Sequence, residues 1–228
     1  WSSDVCSSDL YMVDGAQTLG YLEVDVQSLG IDLLVGPSHK GLCGILGCAF
    51  ICASPRMLPQ LRSPWIGGTG RSSDAIEGPF EWRESIESGN LNTPAIAALG
   101  AGLGYLAANP PHDFQERYQG WIGRLTQAIL EEPNLKLIGY SGEIAKGTRV
   151  PVLSLTHASL TSHEMAMLLD TSLGVECRSG LHCAAAIHPW IGSDPVHGTL
   201  RMSLGHTTTE ADIEKGIEAI RLLGTIGI

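Results

Sequence analysis

Two residues that close short apolar runs carry the first chemical signal. Lys40, one of four lysines in 228 residues, lies in Pro37-Ser38-His39-Lys40-Gly41, just past the apolar run Ile31 to Val35. Asp14 closes an earlier run, Tyr11 to Val13. If the two runs are neighbouring strands of an open α/β sheet, carboxylate and amine share one rim, where such sheets hold ligands. An acid and an amine on one rim suit pyridoxal phosphate, whose aldehyde condenses with a lysine amine and whose ring nitrogen needs an anion to keep its proton. Gln17, one helical turn after Asp14, is spaced to donate to that cofactor's phenolic oxygen. The spacing fits equally well a carboxylate that caps a helix and a solvated loop lysine.

A second constellation lies in Arg178-Ser179-Gly180-Leu181-His182-Cys183-Ala184. Arg178 and His182 are positive neighbours that favour a thiolate, and the polar setting argues for a reactive Cys183 over a buried structural thiol. Cys177, His182, Cys183 and His188 also supply two sulfur and two nitrogen donors for zinc, but the adjacent His182-Cys183 spacing is awkward for tetrahedral ligation. Arg201 falls mid-strand between Leu200 and Met202, where an unpaired guanidinium is costly. Its spacing fits a structural ion pair and a substrate-carboxylate clamp alike. Cys43, Cys48 and Cys52 match neither a zinc knuckle nor a redox pair and read as small core residues. The glycine run Gly67 to Gly70 lacks the context of a nucleotide-binding loop.

The elements that must position these residues follow from periodicity. Tyr11 to Val13 and Ile31 to Val35, with a short crossover helix over Val24 to Leu29, read as a βαβ unit. Ile45 to Cys52 reads as a third strand buried on both faces. A long loop from Ser63 to Pro94 follows, then helices over Ala95 to Ala107 and His112 to Glu131, the second with Phe114, Tyr118, Trp121, Leu125 and Ile129 at helical spacing. Beyond these, Val150 to Leu155 reads as a strand and Ser162 to Ser172 as a helix with Met165, Leu168 and Leu169 inward. Val175 to Arg178 and Thr199 to Leu204 read as strands flanking the Cys183 loop. A last helix starts at the capping box Thr209-x-x-Asp212, with Ile213, Ile217 and Ile220 on one face. The chain is therefore expected to be α/β, with residues 11–105 in a larger domain and 106–228 in a small α+β domain.

Composition narrows the function classes. Charged residues make up 17% and hydrophobic ones 43%, the balance of a packed globule. Fourteen basic against 24 acidic residues give a net charge of −10, which disfavours nucleic acid and anionic membranes as partners. The longest apolar stretches fall short of the roughly 20 residues of a membrane helix. Trp1 to Leu10 reads as an adapter-like, non-native leader and is set aside from fold reasoning. The cysteines outside it are odd in number, which suits free thiols in a reducing compartment, the cytoplasm.

In this order, the pieces resemble the class V aminotransferases, and within them the cysteine desulfurases. Val13-Asp14-Gly15-Ala16-Gln17 is similar to the family's Asp-x-x-Gln strand, and Ser38-His39-Lys40-Gly41 to its lysine segment. Glu87-Ser88-Gly89-Asn90-Leu91-Asn92-Thr93-Pro94 resembles the stretch leading into the small domain. Arg178 to Ala184 resembles the desulfurase RxGxxCA loop. The resemblance implies part of a fold-type I pyridoxal-phosphate transferase: the later part of the large α/β domain, with a mainly parallel sheet, then the small C-terminal domain. It implies Lys40 as the cofactor lysine, Asp14 at the ring nitrogen, Gln17 at the phenolic oxygen and His39 at the phosphate. Cys183 would be the sulfur acceptor, with Arg201 and Arg178 at the substrate carboxylate. Two positions depart from the pattern: Pro37 and Asn90 stand where the family has phosphate-contacting Ser or Thr, so the phosphate grip is either weaker or supplied by Ser38. The implied reaction takes L-cysteine to L-alanine and leaves sulfur on Cys183 as a persulfide. The implied setting is iron–sulfur cluster assembly by a homodimer with a shared active site and a sulfur-acceptor protein. Selenocysteine lyase or aminotransferase activity, needing Lys40 but not Cys183, is the nearest alternative. A zinc or thiol interaction module is the one from another class.

Overall fold

The computed structural model describes residues 9–63, 65, 67, 68, 86–140 and 149–227, with backbone alone at 111–113. Leader residues 1–8, Thr69 and Gly70 of the glycine run, and Lys146 lie outside the described residues. The chain divides into two compact units, Trp1–Pro111 and His112–Ile228.

In the first unit, β1 (Met12–Asp14), β2 (Leu33–Pro37) and β3 (Ala49–Ala53) form a sheet in that order. β1 and β2 run parallel with Asp14 opposite Val35, so the chain leaves both strands at the same end of the sheet. Leu33 and Leu34, neighbours that point to opposite faces, are both buried, as a central strand covered on both sides requires. The segment expected as a crossover helix over Val24 to Leu29 is a set of turns. Asp25 explains the difference: its carboxylate accepts the amides of Gln27 and Ser28 at 2.9 and 3.2 Å, offering the backbone a non-helical alternative.

The run from Ile45 to Cys52 also departs from expectation. It is a strand only from Ala49, pairs antiparallel with β2, and leaves Ile51 47% exposed. An outer strand of the described sheet has little to cover it, so apolar content did not translate into burial. Cys43 and Cys52 are accordingly exposed and Cys48 half-buried, which corrects their reading as core residues. Helix α1 (Thr93–Ala108) begins where Asn92 accepts the Ala95 amide, with a proline in its first turn, where a missing N–H costs nothing.

The second unit contains all but the first residue of α2 (Pro111–Glu131), then β4 (Leu135–Leu137), β5 (Val152–His157), α3 (Ser162–Leu173), β6 (Arg178–Gly180), the short α4 (His188–Ile191), β7 (Thr199–Ser203) and α5 (Glu210–Gly224). Its strands lie in the order β4-β5-β7-β6, every pair antiparallel. Strand alternation divides the residues by face. Leu153 opposite Met202 and Leu155 opposite Leu200 form the buried side, completed by Met165 and Leu169 of α3 and Ile213 and Ile220 of α5. All five apolar residues at helical spacing on α2 are buried. Leu168 and Ile217, expected inward, are half-buried at the margins of their helical stripes. Thr161 and Thr209 each complete a capping box, with Glu164 and Asp212 returning the bond to the cap amide.

Candidate active site

The first unit carries one half of the expected chemistry on its strand ends. Asp14 is the exposed last residue of β1, and one carboxylate oxygen accepts the Ala16 amide at 2.9 Å. It thus caps the turn that holds Gln17, itself exposed. Three residues past the end of the parallel neighbour β2 comes Lys40, also exposed, with exposed His39 before it. Asp14, Gln17, His39 and Lys40 therefore lie at the same end of the sheet. Asn90 is exposed as well.

The Lys40 segment is held from both sides. Ser38 is fully buried; its hydroxyl donates to the Ile45 carbonyl and its own carbonyl accepts the Gly44 amide at 2.8 Å. Its hydroxyl proton is thus used within the loop. On the other side, Gly20 has a φ of +85°, and a β-carbon there would lie 1.9 Å from the Gly41 carbonyl oxygen. Only glycine permits that backbone-to-backbone contact between the turn after β1 and the residue after Lys40.

The second unit carries the other half on the sheet face opposite its core. Arg178 on β6 and Arg201 on β7 are directly paired in register, with Ser154 of β5 on the far side of Arg201. Among the described residues neither arginine has a carboxylate partner, so the ion-pair reading of Arg201 has nothing to support it. Its Nε is buried without a hydrogen-bond acceptor, and burial, then the Arg178 charge, push its pKa below the ordinary value. Two like charges opposed across a ladder are unfavourable unless an anion lies against them. The arginines border an open hollow of about 510 Å³ with Glu176, Cys177, Ser179 and Ser203.

Cys183 sits beside that pair. Its thiol is exposed, and an Arg178 Nη2 hydrogen points to Sγ at 3.5 Å. Gly198 presses against the base of the loop, where a β-carbon would lie 2.0 Å from the Gly180 carbonyl oxygen. Of the two positive neighbours expected for the thiol, Arg178 lies against the sulfur and His182 bonds elsewhere. The His182 ring turns to β7, with Nε2 2.9 Å from both the carbonyl and the hydroxyl oxygen of Thr199. Burial, foremost among the causes, pushes its pKa below the ordinary histidine value, which favours the neutral ring. Cys177 is a different thiol: half-buried ahead of β6, with its pKa pushed up to about 11 by burial.

The four zinc-ligand candidates do not converge. Among the described residues no group of three or more His, Cys, Asp or Glu is placed to hold a metal. His188 is buried, its Nδ1 2.7 Å from the Ser193 hydroxyl and its Nε2 3.1 Å from the Leu181 carbonyl. Sequence reasoning weighed His188 only as a metal ligand and passed over Thr199. The threonine's place two residues before Arg201, on the same strand face, was the available signal.

The class of protein follows from comparison of the fold. The apo structure of a cysteine desulfurase from Thermococcus onnurineus matches 95% of this chain and 53% of its own, with a TM-score of 0.81 and 25% identity. The Escherichia coli cysteine desulfurase CsdA, in an S-sulfonic acid form, matches 94% and 51% with a TM-score of 0.76, also at 25% identity. The fold is thus that of the fold-type I pyridoxal-phosphate enzymes, over roughly half of their length. More particularly, the family model for aminotransferase class-V matches residues 7–215, and the chain belongs to that family. A probable cysteine desulfurase of Methanothermobacter thermautotrophicus is 27% identical over 96% of this chain. A cysteine desulfurase of Cronobacter sakazakii is 30% identical over 93% of it. The chain spans about half the length of these curated relatives, 54% and 52%. Among the described residues no helix is long and apolar enough to cross a membrane.

Proposed function

We propose that the protein is a pyridoxal-phosphate-dependent cysteine desulfurase that converts L-cysteine to L-alanine and leaves the sulfur on Cys183. The observation that carries this reading is the exposed Cys183 thiol with the Arg178 guanidinium on its sulfur, beside an Arg178–Arg201 pair that has no carboxylate partner among the described residues. An amino-acid substrate brings that carboxylate, and a thiolate next to a fixed positive charge is a competent nucleophile toward sulfur.

The residues of the first unit fit the cofactor that the family uses. Asp14 supplies an anion, Gln17 an amide donor, His39 an imidazole and Lys40 a primary amine, all on one sheet rim that is open to a ligand. Bound there, pyridoxal phosphate supplies an electron-withdrawing ring that stabilises negative charge at the substrate Cα. Lys40 would hold the cofactor through its amine, and the same amine would serve as the base that takes the Cα proton. Arg201 and Arg178 hold the carboxylate. The Cys183 thiolate attacks the substrate sulfur: an S–S bond forms, the C–S bond breaks with its electron pair going to carbon, and that carbon takes a proton in place of sulfur. No oxidant is required. Pro37 has no hydrogen to donate, and the Ser38 hydroxyl is buried and already donates to Ile45, so phosphate contact in this loop rests on His39 and the backbone, with Asn90 as a further contact. A homodimer with a shared active site, a sulfur-accepting protein, a cytoplasmic location and a role in iron–sulfur cluster assembly belong to the same proposal.

Replacing the thiol tests the reading. With Cys183→Ala in the intact, cofactor-loaded protein, release of sulfide and persulfide from L-cysteine is expected to fall by about 100-fold or more, while the visible absorption of the lysine-bound cofactor persists. Near wild-type turnover by that variant would replace the desulfurase with a selenocysteine lyase or an aminotransferase, which need Lys40 and the arginines but no nucleophilic thiol.

A further inference from the structure

His182 is the immediate neighbour of the proposed nucleophile, yet its ring points away from the sulfur and into the protein. It and Cys183 are consecutive residues with positive φ, 54° and 61°, a backbone state that side-chain-bearing residues adopt only when the surroundings hold them there. The surroundings offer two holds on this three-residue stretch. His188, buried on α4, approaches the Leu181 carbonyl at 3.1 Å. His182 reaches the Thr199 carbonyl and hydroxyl at the start of β7, both at 2.9 Å, and Thr199 itself is buried.

The chemistry of the partner fixes the proton. A carbonyl oxygen only accepts, so Nε2 of His182 carries the hydrogen and Nδ1 keeps a bare lone pair. Nδ1 is buried and has no hydrogen-bond partner among the described residues. A second proton there would place a charged N–H where none of them offers an acceptor. The groups around the ring are the guanidinium of Arg201 on β7, that of Arg178 on β6 and the imidazole of His188 on α4, and none of them is an anion. Burial and the neighbouring guanidiniums thus favour the neutral Nε2–H tautomer, against the Thr199 bond, which favours the charged ring.

We infer that His182 is a positioning residue for Cys183: its Nε2–H bond to Thr199 ties the nucleophile loop to β7, the strand that also carries Arg201. This deepens the desulfurase reading and rests on it for its catalytic consequence. Arg201 is two residues from Thr199 on one strand, so a tether at Thr199 couples the place of the thiol to the place of the substrate clamp. Acid works against it, because protonation puts a charge on a half-buried ring beside two guanidiniums. Burial, foremost among the causes, shifts the His182 pKa down, so the folded loop favours the neutral ring. That contribution to stability is present above the ordinary histidine value and declines as pH falls below it.

Two variants separate position from mere folding. His182→Gln keeps a side-chain N–H that reaches toward Thr199 but does not titrate, whereas His182→Ala removes the bond. In the intact, cofactor-loaded protein, His182→Ala is expected to lower kcat for L-cysteine about 10- to 100-fold with KM little changed, the cost of a nucleophile out of place. His182→Gln is expected to restore most of that loss and to flatten the acid limb of the kcat profile. Hydrogen exchange of residues 181–186 reads the loop without any turnover: about 10-fold faster in the Ala variant and near wild type in the Gln variant. Nitrogen-15 NMR of the ring should report the Nε2–H tautomer at pH 7. An Ala variant with wild-type exchange, or an Nδ1–H or doubly protonated ring at neutral pH, would overturn the inference. Wild-type protein that releases no sulfur from cysteine would instead overturn the desulfurase reading, and the exchange and NMR outcomes would still decide the tether.

Discussion

The residue that decides whether the first unit does cofactor chemistry is Lys40. It is exposed beyond the end of β2, on the rim that Asp14 occupies at the end of the parallel β1. Borohydride reduction of the cofactor-loaded protein followed by peptide mapping is expected to place the pyridoxyl label on Lys40. Label on Lys136, Lys146 or Lys215 would refute that assignment. The two cysteines of the Cys183 region separate just as sharply. With a pKa pushed up to about 11, Cys177 is thiolate in roughly one molecule in a thousand at pH 8. A limiting dose of iodoacetamide at pH 8 should therefore modify Cys183 and spare Cys177, and Cys177→Ala should leave sulfur release nearly unchanged. Preferential modification of Cys177, read by mass spectrometry, would contradict both assignments.

At the scale of elements, the sheet rim depends on a clasp far from it. Asp32, buried just ahead of β2, accepts Arg56 Nε at 3.1 Å and Nη2 at 2.6 Å, the Ser54 hydroxyl at 2.8 Å and the Tyr11 amide at 3.0 Å. One carboxylate thus joins the start of β1, the start of β2 and the segment after β3. The Arg56 hydrogen bonds, then the Tyr11 amide and the Ser54 hydroxyl, hold its pKa well below the ordinary carboxylate range. The folded state therefore binds this proton less readily than the unfolded chain. The resulting stability is fully present above the unfolded aspartate value and is lost as pH falls below about 4. Asp32→Asn should lower the thermal midpoint at pH 7 and flatten its dependence on pH between about 5 and 3, measured by circular dichroism. An unchanged acid dependence would show that the clasp contributes nothing. In the second unit the helix ends are similarly local in origin: Thr161 and Thr209 were readable as caps because a threonine and an acid three residues later satisfy each other's backbone within one turn.

For the whole molecule, the two units differ in how well they cover themselves. The second buries Leu153, Leu155, Leu200 and the full apolar stripe of α2. The first leaves large apolar side chains in the open, among them Met12, Leu46, Ile51, Trp65 and Ile96. Both outer strands of its sheet, β1 and β3, also present unpaired backbone edges among the described residues. Apolar surface on that scale marks an interface or an aggregation hazard. The 228-residue chain produced by itself is expected to self-associate at micromolar concentration in light scattering, despite a net charge of −10 that disfavours association. A monodisperse monomer that binds stoichiometric pyridoxal phosphate would refute this.

The sequence by itself determined what is written in local spacing. The helical stripe from Phe114 to Ile129, the two ends of the Asp14 and Lys40 runs, the capping box at Thr209 and the polar loop around Cys183 each arise from residues a few positions apart, and each lies within reach of periodicity and turn chemistry. Only the tertiary structure decided the questions that depend on what lies across a strand or behind a ring. The direction and exposure of β3 depend on which strands flank it, which no run of apolar residues records. The orientation of the His182 ring depends on Thr199, 17 residues away, and so its role changed from charged neighbour to tether. The pairing of Arg201 with Arg178 depends on the register of β6 against β7, which the strand alone does not record. Burial and hydrogen bonding are properties of a neighbourhood, and neighbourhoods in this chain are built mostly from residues that are distant in sequence.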